Sequence, residues 1–168
     1  MSVIASDEVR AFARASRSFP KQKLRELILQ ALYALELAPE GEDSLVRLLM
    51  AESLVSKKNA LYALVFCKAI RARLADLDAQ LNATIRTTSL ARLTIIERNI
   101  LRMMLFEYQQ SQNCSPVPVA VLIAETARLI KKFSYVEGSS LILAVLGSIF
   151  DHPVSTLDSP LEPTSMCG

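Results

Sequence analysis

With 168 residues, 51% of them hydrophobic, the chain is long enough to bury one domain-sized core, and 19 basic against 17 acidic side chains leave a net charge of +2 that singles out no partner. Only four glycines and no tryptophan, set against abundant Leu, Ala and Arg, argue against a β-rich chain and for an all-α protein with short loops. Three scattered cysteines without a Cys-x-x-Cys pair, and a single histidine, argue against a disulfide framework or a zinc site.

Residues 1–20 read as a basic leader ending at Pro20. The next segment, Lys21 to Leu37, repeats apolar residues at helical spacing (Leu24, Leu27 or Ile28, Ala31, Leu35) and stops at Ala38-Pro39-Glu40-Gly41. A second helix is expected over roughly Glu42 to Leu54 and a third over about Asn59 to Asn82. Thr84 to Ser89 is a polar, β-branched connector and divides the chain into halves.

Thr94-x-x-Glu97 has the form of a capping box, in which threonine satisfies an orphan amide and glutamate reaches back. The helix it opens carries Ile96, Ile100, Met103 and Met104 on one face, with Glu97, Arg98, Arg102 and Glu107 on its expected wetter side. Pro118 suits the first turn of the following helix. There Glu125, Arg128 and Lys132 fall on one charged stripe. Ser134-x-x-Glu137 is a second capping box, and the uncharged helix Ser139 to Phe150 is expected to be the most buried. From Asp151 onward, prolines and lost periodicity predict a mildly acidic, disordered tail.

Chemistry is mostly absent from this pattern. The chain has no Gly-rich phosphate loop, no dinucleotide fingerprint and no Glu-x-x-His pair, and its one histidine, His152, falls at the start of the tail. The reading is of a non-enzyme without metal or cofactor. No apolar run reaches the roughly 18 residues of a membrane helix, so a cytoplasmic protein is expected. Cations do cluster: Arg10, Arg14 and Arg17 lie at i, i+4, i+7, and Lys21, Lys23 and Arg25 follow. Such a patch fits a phosphate backbone, and a plain solvated basic face fits equally.

Three blocks resemble the NusB family of bacterial transcription antitermination factors. They are Lys23-Leu24-Arg25-Glu26 with Gln30-Ala31-Leu32-Tyr33; Arg92-Leu93 with Glu97-Arg98-Asn99-Ile100-Leu101-Arg102 and Phe106-Glu107; and Val117-Pro118, Ile123 and Glu125 with Lys131-Lys132-Phe133-Ser134. The resemblance implies two packed antiparallel three-helix sub-bundles, about seven helices in all. They would form a single domain over residues 21–150, with sub-bundles at about 21–83 and 90–150 and a tail at 151–168. It also implies binding of single-stranded boxA-type ribosomal RNA leader jointly with a small-subunit ribosomal protein, in the RNA polymerase elongation complex.

Carried over by position, Lys21, Lys23, Arg25, Lys131, Lys132, Glu137 and Leu141 are the candidate RNA-binding residues, and Tyr33 is the candidate protein contact. Phe133 and Tyr135 could offer a stacking face. Leu141 stands where the family has an aromatic and cannot stack a base as phenylalanine would. That departure motivates a second reading, a NusB-like protein-interaction module with weakened RNA binding. Oligomeric state stays open, a homodimer included.

Overall fold

A computed structural model of the chain describes residues 19–39, 41–114, 116–135 and 139–151. The leader up to residue 18, Glu137 of the expected Ser134–Glu137 box, and the tail beyond Asp151 lie outside the described residues. Among the described residues are seven α-helices and no strand.

The helix starts follow from local chemistry. Helix α1 (Lys21–Leu37) begins directly after Pro20, whose carbonyl accepts the Leu24 amide at 3.0 Å. Helix α2 (Glu42–Ser53) carries Glu42 and Asp43 in its first turn, where the helix dipole favours acids, and closes on Leu54 in the left-handed region at φ 52°. Ser56 caps α3 (Lys57–Ala72) by accepting the Asn59 amide at 3.3 Å. Helix α4 (Leu74–Thr84) follows at once, and a 3-10 turn at Leu90–Arg92 leads into α5 (Ile95–Cys114). The expected capping box opens α5: Thr94 N–H donates to Glu97 at 2.9 Å and Glu97 N–H donates to Thr94 Oγ1 at 3.3 Å. The other Glu97 oxygen accepts Ser134 Oγ at 3.4 Å, tying the start of α5 to the end of α6 (Val119–Phe133). Pro118 is the residue just before α6 rather than inside its first turn, and α7 (Ser139–Asp151) completes the chain's helices.

Helices α1, α2 and α3 pack on one another, α5, α6 and α7 form a second group, and α1 against α5 is the seam between them. Helix α4 packs on α5 and α7, so packing partners change at Arg73, one helix earlier than the Thr84–Ser89 connector.

Three expectations need correction. The single helix over Asn59 to Asn82 is broken at Arg73, whose amide donates to Ile70 in a tighter turn while its guanidinium reaches Gln109 at 2.9 Å and sits over the Phe106 ring. The wetter side of α5 is not wet. Glu97 and Asn99 are buried, while Arg98 and Arg102 pair with Glu36 of α1 and Asp78 of α4. Helix α7 is not the most buried element either: Ile142, Val145, Leu146, Ile149 and Phe150 face inward, but Ser140, Ala144 and Ser148 are exposed. The central helices α1 and α5 bury more, because each has neighbours on several sides.

Candidate nucleic-acid interface

The amino-terminal end of α1 meets the carboxy-terminal half of α6 across a network of charges. Leu24, Leu27, Ile28 and Ala31 draw α1 into the core, and this carries Arg25 and Glu26 below the surface as well, at 5% and 7% exposure. Buried charges must be paired and hydrogen-bonded to be tolerated. Arg25 donates to both oxygens of Glu107 at 2.8 and 2.6 Å, and a further guanidinium nitrogen lies 3.2 Å from Glu125. Glu26 accepts Arg128 at 2.6 Å and Lys132 at 2.8 Å, with Lys23 at 4.0 Å. Arg128 also grips Glu125 and the Gln22 carbonyl, while the Gln22 amide donates to Glu125 at 3.0 Å.

Each charge is stabilised by its neighbours. Burial alone would lower the Arg25 pKa, but the hydrogen bonds and charge of Glu107, then of Glu125, outweigh it and hold the guanidinium above its ordinary value. Burial would raise the carboxyls of Glu26 and Glu125. The bonds from Lys132 and Arg128 to Glu26, and from Arg128 and Gln22 to Glu125, instead hold both below the usual carboxylate range.

Above this network the surface is cationic. Lys21 and Lys23 stand in the first turn of α1, which holds no acid, and Lys131 and Lys132 in the last turn of α6. Lysines at a helix start oppose the macrodipole, so that end carries positive potential from both side chains and free backbone amides. Beside Lys21, an open groove of about 440 Å³ is lined by Gln22, Pro116, Val117, Pro118 and Val121. Tyr135 is 84% exposed just past the two α6 lysines, whereas Phe133 packs against the core with the Lys132 ammonium 5.4 Å from its ring centroid.

The structure thus brings Lys23 and Lys132 together on one carboxylate, sets Lys21 nearby at the α1 start, and leaves Lys131 exposed. Arg25 departs from expectation: its guanidinium is committed to Glu107 and Glu125 and does not face solvent. Glu125, Arg128 and Lys132 form a stripe as expected, but one turned toward α1, with Glu125 itself buried. Leu141 is half-buried against the core, and Glu137 lies outside the described residues. On the opposite end of α1, Tyr33 is 38% exposed, with Leu37 exposed one turn on.

From the sequence Arg128 is expected only as part of a charged stripe and Glu26 only as part of a family block, and neither is among the candidate site residues. The available signal was a charged pair, Arg25-Glu26, embedded in the apolar run Leu24 to Leu29, where an unpaired charge could not survive.

Among the described residues no group of three His, Cys, Asp or Glu could hold a metal ion, and no helix is long and apolar enough to cross a membrane. The NusB family model matches residues 22–151. The chain is 80% identical over 168 residues, the full length of both, to the transcription antitermination protein NusB of Chlamydia trachomatis serovar L2. It is 47% identical over 151 residues to that of Chlamydia pneumoniae, covering 90% of this chain and 89% of the relative. Among solved structures, NusB of T. maritima superposes with a TM-score of 0.65 at 22% identity, over 79% of this chain and 92% of that one. A structure of antitermination factors NusB and NusE in complex with dsRNA gives a TM-score of 0.64 at 21% identity, over 78% of this chain and 96% of that one.

Proposed function

Because this chain belongs to the NusB family, we propose that it is an RNA-binding transcription antitermination factor, and that its cationic α1–α6 corner is where the RNA binds. In this reading it engages boxA-type ribosomal RNA leader together with a small-subunit ribosomal protein, within the RNA polymerase elongation complex. It acts as a non-catalytic adaptor in the cytoplasm.

The observation that carries the reading is the surplus of solvent-facing lysines over a fully paired network. Glu107 and Glu125 are already occupied by Arg25 and Arg128, and Glu26 alone is shared by Arg128, Lys132 and Lys23, so the corner keeps excess positive charge on Lys21 and Lys131 and on the exposed sides of Lys23 and Lys132 for phosphate. Neutralising backbone phosphates releases counterions, which supplies sequence-independent affinity. Tyr135 beside the lysines offers a face on which an unstacked base can lie, the usual way a protein holds single-stranded RNA. Arg25 acts beneath this surface, holding α1 to α5 and α6. Tyr33 and Leu37, exposed on the far end of α1, form an apolar strip suited to the protein partner.

The test is a titration of single-stranded boxA-type RNA at two salt concentrations, with and without the ribosomal protein. Lys21→Glu with Lys23→Glu should weaken binding and shallow the salt dependence, by about 0.7 in the log–log slope for each phosphate that is no longer neutralised. Unchanged binding and slope would overturn the assignment. The second reading, a NusB-like protein-interaction module with weakened RNA binding, predicts that the unsubstituted chain scarcely binds this RNA without the ribosomal protein, and it is not favoured.

A further inference from the structure

Glu26 is a carboxylate at the centre of a surface that has, electrostatically, no use for one. It is neither solvated nor a simple helix–helix tie. One of its oxygens accepts Arg128; the other accepts Lys132 of α6 at 2.8 Å and lies 4.0 Å from Lys23 of α1. The same oxygen therefore gathers one ammonium from each helix. Both lysines keep an open side, their side chains 38% and 51% exposed. Lys132 is held from a second direction by the Phe133 ring. Three cations around one carboxylate leave the spot net positive.

A free lysine loses much rotamer freedom on gripping a ligand. Here part of that loss is taken on folding, and two part-exposed ammonium groups are gathered at one carboxylate oxygen. A phosphodiester, whose two unesterified oxygens diverge from one phosphorus, is an anion that two such donors can grip together. We propose that Lys23 and Lys132 form one composite site for a single backbone phosphate of single-stranded RNA, and that Glu26 is its positioning residue. This rests on the RNA-binding reading above. It adds that a buried acid raises affinity at a basic surface.

The sign of one substitution separates this from the alternatives. If charge alone governed binding, Glu26→Gln would remove a negative charge and tighten RNA. If Glu26 only joined α1 to α6, the change would lower thermal stability and leave the salt slope alone. Positioning predicts the reverse: Glu26→Gln weakens the full chain's binding to a labelled single-stranded boxA-type RNA and lowers the salt slope by about 0.7. That corresponds to roughly a fourfold loss at about 0.15 M salt.

Lys132→Ala should do the same, and Glu26→Gln added to Lys132→Ala should cost little more, because the acid acts through that lysine. Glu26→Asp keeps the charge but is one methylene short, so it should fall between wild type and Glu26→Gln. It also supplies the answer if the glutamine variant melts below assay temperature. Binding by Glu26→Gln as tight as wild type, or a double variant losing the product of both effects, would overturn the proposal while Lys132→Ala still weakened binding. Should Lys132→Ala and the Lys21/Lys23 variants all bind normally, the RNA reading itself fails first.

Discussion

The two ends of α1 are built from the same materials and behave as opposites. At the carboxy-terminal end, Glu36 accepts Arg98, Asn99 and Arg102, and Arg102 also donates to Asp78 of α4 at 2.7 and 2.8 Å. Two carboxylates face two guanidiniums, and the charges cancel. At the amino-terminal end, Glu26, Glu107 and Glu125 face Lys23, Arg25, Arg128 and Lys132, with Lys21 and Lys131 exposed alongside. Arginine's planar fork does the deep bidentate pairing at both ends, while only the second adds lysines, compact point charges on flexible stems. A balanced network can hold helices together. An unbalanced one can also attract something from outside.

Substitution of Arg25 should break this comparison most severely, because it removes the pin of the cation-rich end. Arg25→Met leaves Glu107 and Glu125 under-paired in a buried setting, at a cost of about 3–5 kcal/mol. A fall in Tm of about 10 °C by circular dichroism is expected. A drop of only a degree or two would show that Arg25 is dispensable to the fold.

The exposed tyrosines then sharpen the contrast. Tyr135→Ala should cost about 1–3 kcal/mol of RNA affinity through lost base stacking and leave Tm unchanged. Tyr33→Ala should instead cost about 1 kcal/mol against the ribosomal protein. If both variants lost the same partner, the division of labour between the α1–α6 corner and the far end of α1 would be wrong.

The smallest effect is one the two ends share. Glu26, Glu36 and Glu125 all have carboxyls held below the ordinary 4.5 by their cationic partners, although burial alone would raise them. A depressed folded-state pKa contributes stability that is present above the ordinary value and lost as pH falls through the folded value. Tm should therefore be flat from about pH 7 to about 5 and decline below about 4.5, and Glu36→Gln should make that decline shallower. Equal acid limbs for the variant and wild type would mean Glu36 takes no part.

The sequence made the local features legible and hid the long-range ones. Helix α1 runs over the expected residues because Pro20 and the Pro39–Gly41 break bound an unbroken apolar repeat. The Thr94–Glu97 box forms because both partners lie within one turn. The break at Arg73 has no proline or glycine to announce it. It is held by Gln109 and Phe106, which belong to a helix that begins more than twenty residues later. Arg25 looked like one more surface cation because its partners, Glu107 and Glu125, are distant in sequence. Charge spacing on one helix cannot show what the neighbouring helix supplies. Helix α7 misled in the other direction: an uncharged composition says that a helix can be buried, and only the number of packing neighbours decides how far.

Glu97 closes α5's first turn with one oxygen and holds Ser134 with the other, so a helix cap and the corner bearing Lys131, Lys132 and Tyr135 share one side chain. Thr94, Glu97 and Ser134 therefore form a linked trio. Replacements among them should be non-additive, and a chain that drifts at one position inherits a constraint on the other two. If the proposed RNA corner is the hand, it can be redesigned only with its wrist.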